Sequence, residues 1–325
     1  MSTGAVTCEL CFRLCTMKPG ERGNCRARYN LKGELVSLVY GKPCAVHVDP
    51  IEKKPLFHFL PGSKAFSIAT AGCNGHCVFC QNWEISQSNP EDVHSIDLPP
   101  DKVVQGAKDS ESRSIAYTYT DPNIFYEYAY DTSILARKAG IKNVMVTAGF
   151  LNEKPLRELA IYSDAANVDL KGNAEFYKKY VKAELKPVQD YIRIALEERV
   201  HVEITNLVVP TLNDSKADTD WLIKWILDNC GPDVPLHFSR FFPMYKLTNL
   251  YPTPSEILMD AAHAAYDLGM RYVYVGNIPS GELQNTRCPK CNETVIVRRG
   301  YTQPEVKLID GKCPKCSNAI PGVWR

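Results

Sequence analysis

The sequence predicts an α/β fold built on a parallel sheet, and three features carry that prediction. Seven short runs rich in β-branched or aromatic residues recur through the middle of the chain. Helix-length amphipathic stretches separate them, and reactive side chains gather just past their ends. The runs span 66–72, 114–120, 143–148, 167–171, 201–209, 236–241 and 272–277. Between them, 123–139 reads as a helix stopped by Gly140, and 255–268 as one stopped by Gly269. At the second helix Thr253 is placed to cap, Pro254 suits the first helical position, and Glu256 can reach back to the cap. Seven strands mostly followed by helices suit a partial or complete β/α barrel or a doubly wound sheet. Both put ligands at the carboxyl ends of the strands.

Length and composition frame this core. A chain of 325 residues fits one large domain with small attachments. With 23% charged and 45% hydrophobic residues, it is neither disordered nor fibrous. The start, MSTGAVTCEL, resembles no signal peptide, and no apolar run approaches the roughly 18 residues of a membrane span. A cytoplasmic, non-membrane protein is expected. A net charge of +1 does not suggest a nucleic-acid binder, although the ends are basic: residues 1–64 carry 10 basic and 5 acidic side chains. Thirteen cysteines, an odd number without a secretion signal, point to metal rather than to a disulfide framework. Eleven fall into three tight groups.

The first group, Cys73, Cys77 and Cys80, follows the first strand with C-x3-C-x2-C spacing. A 4Fe-4S cluster ordinarily takes four cysteines, so a three-cysteine loop leaves one iron for an outside ligand. Gly72 and Gly75 let the backbone bend closely around such a group. Metal-free core cysteines or an incomplete zinc site are the competing readings.

With Phe79 before the last of these cysteines, the segment resembles the signature of the radical S-adenosylmethionine (SAM) superfamily. It is most similar to the pyruvate formate-lyase activating enzyme-like branch, and within it to AmmeMemoRadiSam-system radical SAM enzymes. The resemblance runs along nearly the whole chain through CELCFRLC, GERGNCRAR, DPIEKKPLFHFLPG, GCNGHCVFCQNWEISQ, YTYTDP, VDLKG, NLVVPTLND, HFSRFFP and YVGNIP. It implies a partial (β/α)6 barrel whose 4Fe-4S cluster reductively cleaves SAM to methionine and a 5′-deoxyadenosyl radical, which takes hydrogen from a protein, peptide or small-molecule substrate. A glycyl-radical-enzyme activase is the alternative within this class. The resemblance further implies a flavodoxin- or ferredoxin-class electron donor and hints at AMMECR- or Memo-related partners.

Cofactor-binding candidates follow the strands in order: Phe79, Asp121, Thr147, Asp169, Lys171, Asn206 and His237. Asp121, where the family more often has Glu, suits the methionine ammonium, or else caps the turn ahead of Pro122. Asp169 and Lys171 share a strand face, where they either pair or meet a ligand. Thr147 closes the third strand ahead of Gly149. Asn206 is preferred over Glu203 on the fifth, and His237, with Arg240, is placed by the resemblance near the adenine or substrate. The tyrosines from 117 to 130 are expected to line the core.

The tail reads CPKC, 21 residues, CPKC, so Cys288, Cys291, Cys313 and Cys316 form two knuckles of a zinc ribbon, with a single iron as runner-up. Segments 295–298 and 305–309 supply its strands. The start places Cys8, Cys11, Cys15 and Cys25 within 18 residues, most simply a further zinc site, with a second Fe-S cluster open on spacing and Cys44 a spare thiol. In the segment after it, Lys53 and Lys54 are expected to be solvated, unless they and His58 face the ligand. The expected domains are 1–61 (cysteine-rich), 62–284 (radical SAM barrel) and 285–325 (zinc ribbon). Rival readings are a multi-cluster electron carrier and a zinc-ribbon binding module.

Overall fold

A computed structural model describes residues 4–278 and 281–325. The amino-terminal stretch forms two small antiparallel ladders, β1 (Val6–Thr7) with β2 (Thr16–Met17) and β3 (Arg28–Leu31) with β4 (Glu34–Ser37). The central sheet has eight strands in strict chain order: β5 (Ala45–Pro50), β6 (Lys64–Ala69), β7 (Ser114–Tyr117), β8 (Lys142–Thr147), β9 (Ala165–Asp169), β10 (His201–Val208), β11 (Leu236–Arg240) and β12 (Val273–Gly276). From β6 to β12 all pairings are parallel, and β5 is antiparallel to β6. Each expected run thus holds a strand. β5, inside the 1–61 stretch, was not read from sequence, because its polar His47 and Asp49 interrupt the apolar pattern.

Six of the parallel strands are each followed by helix: α1 (Trp83–Ser86) and α2 (Pro100–Asp109), α3 (Tyr126–Lys138), α4 (Glu153–Ala160), α5 (Ala174–Phe176) and α6 (Lys186–Glu197), α7 (Lys216–Cys230), and α8 (Ser255–Asp267). Strand order never reverses and β5 does not pair with β12, so the sheet is an open (β/α)6 barrel with a closing seventh parallel strand, not a doubly wound sheet. α3 begins later than expected because a 3-10 turn over Pro122–Phe125 precedes it. The Thr253 cap does not form: the hydroxyl donates to the Val208 carbonyl (2.6 Å) and accepts from Phe241 N–H (3.1 Å), so it pins the β11 exit loop instead.

The amino end of the barrel is plugged. Ile51, Leu56, Phe59 and Leu60 of the 51–61 segment pack on Ala65, Ala116, Val144 and Ala165, near the starts of β6 to β9. Beneath them lies the three-stranded ribbon of β13 (Thr286–Arg287), β14 (Thr294–Val297) and β15 (Glu305–Val306). Val323 exchanges backbone hydrogen bonds with Leu60 and His58, each 2.7 Å, and Arg298 donates to the Phe57 carbonyl at 2.6 Å. No helix among the described residues is long and apolar enough to cross a membrane. Pro279, which ends the YVGNIP stretch, lies outside the described residues.

Candidate functional site

The open, carboxyl end of the barrel carries the loop of Cys73, Cys77 and Cys80, directly after β6. Backbone hydrogen bonds fasten it: His76 N–H to Val181 O (3.0 Å), Val78 N–H to Tyr180 O (2.9 Å) and Lys246 N–H to Val78 O (2.9 Å). The His76 ring is held between Gln87 Oε1 (2.8 Å) and Asn24 Oδ1 (2.6 Å). Gly75 sits between two sulfurs, with Cys73 and Cys77 Sγ each 3.9 Å from where its Cβ would stand. Gly72, at φ +93°, is required for another reason: a Cβ there would lie 2.3 Å from the Cys25 carbonyl oxygen. Phe79 is buried against Phe176, ring centroids 5.8 Å apart, and so braces the loop.

Burial pushes the Cys73 thiol far above its ordinary range and the Cys77 thiol up to about 12. Such sulfurs ionise only when a cationic centre meets them. Around them the strand ends carry polar atoms with no partner among the described residues. Asp121 accepts from Asn123 N–H (3.1 Å) and Thr147 Oγ1 (3.0 Å) through Oδ1, while its buried Oδ2 is free. The capping and ligand roles expected of Asp121 thus fall on different oxygens. Burial raises its carboxyl to about 6, which a cationic ligand would reverse. Thr70 Oγ1, both amide atoms of Asn123 and Thr205 Oγ1 are likewise buried and unpartnered. Sequence reasoning missed these three residues; Asn123 is the one with a signal, a buried polar residue inside the apolar PNIF turn.

Lys171 Nζ pairs with Asp169 Oδ2 at 2.6 Å. Burial opposes the Lys171 charge, but Asp169 and the nearby Cys77 outweigh it and keep the ammonium protonated. Two expected ligand residues lie elsewhere. Asn206 follows Thr205 on β10 and, by alternation, faces the helical layer, where its amide donates to Leu170 O at 2.8 Å. Thr205, paired with Asp169 across the ladder, faces the barrel in its place. His237 lies early in β11, deep in the barrel, with Nε2 2.6 Å from Glu203 Oε2. Glu203 is 0% exposed and also accepts from His58 N–H (2.7 Å), Phe57 N–H (3.0 Å) and His201 Nε2 (3.0 Å). Despite burial, these donors hold its carboxyl well below the usual range.

The lysines of the 51–61 segment divide. Lys53 is half-exposed, but Lys54, expected to be solvated, is 1% exposed and pairs with Asp49 at 2.6 Å, beneath the Tyr119 ring. His58 is sealed in the floor, between Tyr274 Oη and Pro321 O, each 2.6 Å away, not at the ligand end. Tyr117 and Tyr128 are core residues as expected.

In the ribbon, all four sulfurs of Cys288, Cys291, Cys313 and Cys316 lie within 4.8 Å of one another, with Cys288 to Cys316 at 3.5 Å and Cys291 to Cys313 at 3.6 Å. A tetrahedral ion with bonds of about 2.3 Å sets sulfurs about 3.8 Å apart, so the quartet fits one metal ion. Cys8, Cys11, Cys15 and Cys25 are gathered at the amino end without reaching that spacing. Cys44 stands apart, its sulfur 3.6 Å from Ala69 O.

The half-buried thiols, the free Asp121 oxygen and the unpartnered hydroxyls and amide fit a cluster carrying a cationic, polyfunctional ligand. Comparison with known proteins agrees. A family model described as the Radical SAM superfamily matches residues 67–221. Uncharacterized protein MJ0808 of Methanocaldococcus jannaschii is 46% identical over 317 residues, 97% of this chain and 95% of that protein. Among solved structures, a radical SAM methyltransferase from Sphaerobacter thermophilus aligns with a TM-score of 0.54 at 13% identity, over 68% of each chain. Streptococcus suis SuiB aligns at 0.53 and 12%, over 70% of this chain and 52% of that one. At such identities the structural likeness is one of fold.

Proposed function

The chain belongs to the radical SAM superfamily, and from that premise we propose that Cys73, Cys77 and Cys80 hold three irons of a 4Fe-4S cluster while the surrounding strand ends hold SAM on the fourth. Bound there, these groups supply the one-electron cleavage of SAM to methionine and a hydrogen-abstracting 5′-deoxyadenosyl radical. The protein's part is placement. Asp121 Oδ2 takes the methionine ammonium, held in aim by Thr147 and the Asn123 N–H. Lys171, tethered by Asp169, offers its charge to the methionine carboxylate, and Thr205 offers a hydroxyl to the ribose. The plugged floor keeps water from the lower barrel. The single observation that carries this reading is the unpartnered Asp121 oxygen beside the Cys73 thiol of the three-cysteine loop.

The substrate we favour is a peptide or protein segment. Exposed apolar side chains, Phe242, Met244 and Tyr251, stand on the β11 exit loop, and Trp83 stacks on Tyr245 of that loop at 5.3 Å. A fold neighbour, SuiB, binds a precursor peptide, SuiA. A flavodoxin- or ferredoxin-class protein serves as donor in a cytoplasmic setting, and the ribbon carries structural zinc. The test is anaerobic: protein reduced with dithionite and given SAM forms 5′-deoxyadenosine, and Cys77→Ala abolishes it. A wild-type protein that binds iron and sulfide yet forms none would overturn the reading.

A further inference from the structure

The structure contains three cysteine groups, and two of them show what different metals look like in this chain. The ribbon quartet has sulfurs in contact, as one tetrahedral ion requires. Among the described residues the three sulfurs of the Cys73 loop do not close to within 4.8 Å of one another. The amino-terminal quartet falls with the loop. Cys8 N–H donates to Cys15 O at 2.9 Å, which brings the two ends of the CELCFRLC turn together, and Asn24 N–H donates to Cys15 Sγ at 3.4 Å. The thiols of Cys8, Cys11, Cys15 and Cys25 lie near enough for charge on one to be felt by its neighbours. Yet among the described residues no three of these sulfurs lie mutually within 4.8 Å.

Two buried polar side chains stand beside the same cysteines. Arg28 is 4% exposed; its Nη1 donates to Glu127 at 2.7 Å, while its Nε is buried without a partner, and its charge acts on Cys8 and Cys25. Asn74 Nδ2, buried with no partner at contact distance, belongs to a side chain that acts on the Cys11 sulfur, and its Oδ1 is 4.0 Å from Cys73 Sγ. Buried guanidinium and amide N–H groups left unpartnered beside these cysteines suit a large anionic ligand set better than zinc, whose four thiolates need only the ion.

We propose that Cys8, Cys11, Cys15 and Cys25 ligate a second 4Fe-4S cluster, with the Nε–H of the Glu127-paired Arg28 beside it and the Asn74 side chain between it and the Cys73 loop. The Cys25 carbonyl against Gly72 and the Arg13 guanidinium on the Asn74 carbonyl (2.7 Å) lock the two sites into one rigid unit. The contrast with the Cys73 loop rests on the radical SAM reading, and the experiment separates the two.

The triple variant Cys73→Ala/Cys77→Ala/Cys80→Ala, purified without oxygen as the full chain, is expected to keep about four iron and four acid-labile sulfide per chain and, once reduced, to give a cubane EPR signal. Sulfide is decisive, since neither zinc nor a single ribbon iron brings any. Protein free of sulfide, with zinc or nothing on the amino-terminal cysteines, overturns the proposal. Because that variant could fold poorly, Cys8→Ser/Cys15→Ser is measured in the otherwise intact chain. Sulfide should fall from about eight to about four per chain with the ribbon metal unchanged. Unchanged sulfide, or loss of zinc instead, also overturns it. Failure to cleave SAM would bear only on the function proposed above.

Discussion

Asp121 shows how one carboxylate divides its labour. Its first oxygen is spent on the turn, and the second is left buried with no hydrogen-bond partner among the described residues. Asp121→Asn keeps the size and the turn contact but removes the charge, so SAM affinity should fall about tenfold or more while iron and sulfide stay constant; equilibrium binding beside metal analysis checks both. His58 makes a different case. Burial lowers its pKa to about 3, so the unfolded chain takes up a proton below about 6.5 that the native state refuses. Stability is therefore full above about 6.5 and is lost as pH falls toward 3, by up to about 1.4 kcal/mol per pH unit. Denaturation midpoints at pH 7.5 and 5.5 should separate more for the wild type than for His58→Asn, and equal separations would mean that His58 is charged in the native protein.

Among the elements, the parallel strands were legible because buried strands advertise themselves as continuous apolar runs, and each expected run contains one. The tail was legible too: expected arms at 295–298 and 305–309 meet as β14 and β15, with Ile296 opposite Val306. Strand polarity was harder to resolve. Asn206 and Thr205 are adjacent polar residues on β10, and only the ladder register, Thr205 opposite Asp169, tells which one enters the barrel. Depth was not legible at all. His237 stands on a site-bearing strand, but near its beginning, where Glu203 engages it. The Thr253 cap failed because a tertiary partner, the Val208 carbonyl, competed for the hydroxyl. The ribbon yields its own prediction: Cys313→Ala/Cys316→Ala removes half of the ligand set, so one metal ion per chain should be lost and 285–325 should become protease-sensitive, with the sulfide content of the barrel end retained. Intact protease resistance without that metal would show that the ribbon folds without it.

At the scale of the molecule, the sequence divides into three stretches where the structure interleaves them. β5 joins the central sheet, the 51–61 segment fills the barrel floor, and the ribbon closes over that segment through Val323 and Arg298. Such pairings join residues hundreds of positions apart, His58 with Pro321 among them, and no local pattern announces them. The two unjoined sheet edges, β5 and β12, are linked at the floor, where Tyr274 of β12 receives His58 from the segment that follows β5, and at the mouth the β11 exit loop is clasped to the cysteine loop by Lys246 N–H on Val78 O and by Trp83 stacked on Tyr245. A staved wall hooped at base and rim opens where the lighter hoop gives. Any widening that admits a bulky guest thus parts that upper clasp first, one backbone hydrogen bond and one stacked ring pair, while the many bonds on Glu203 keep the base shut.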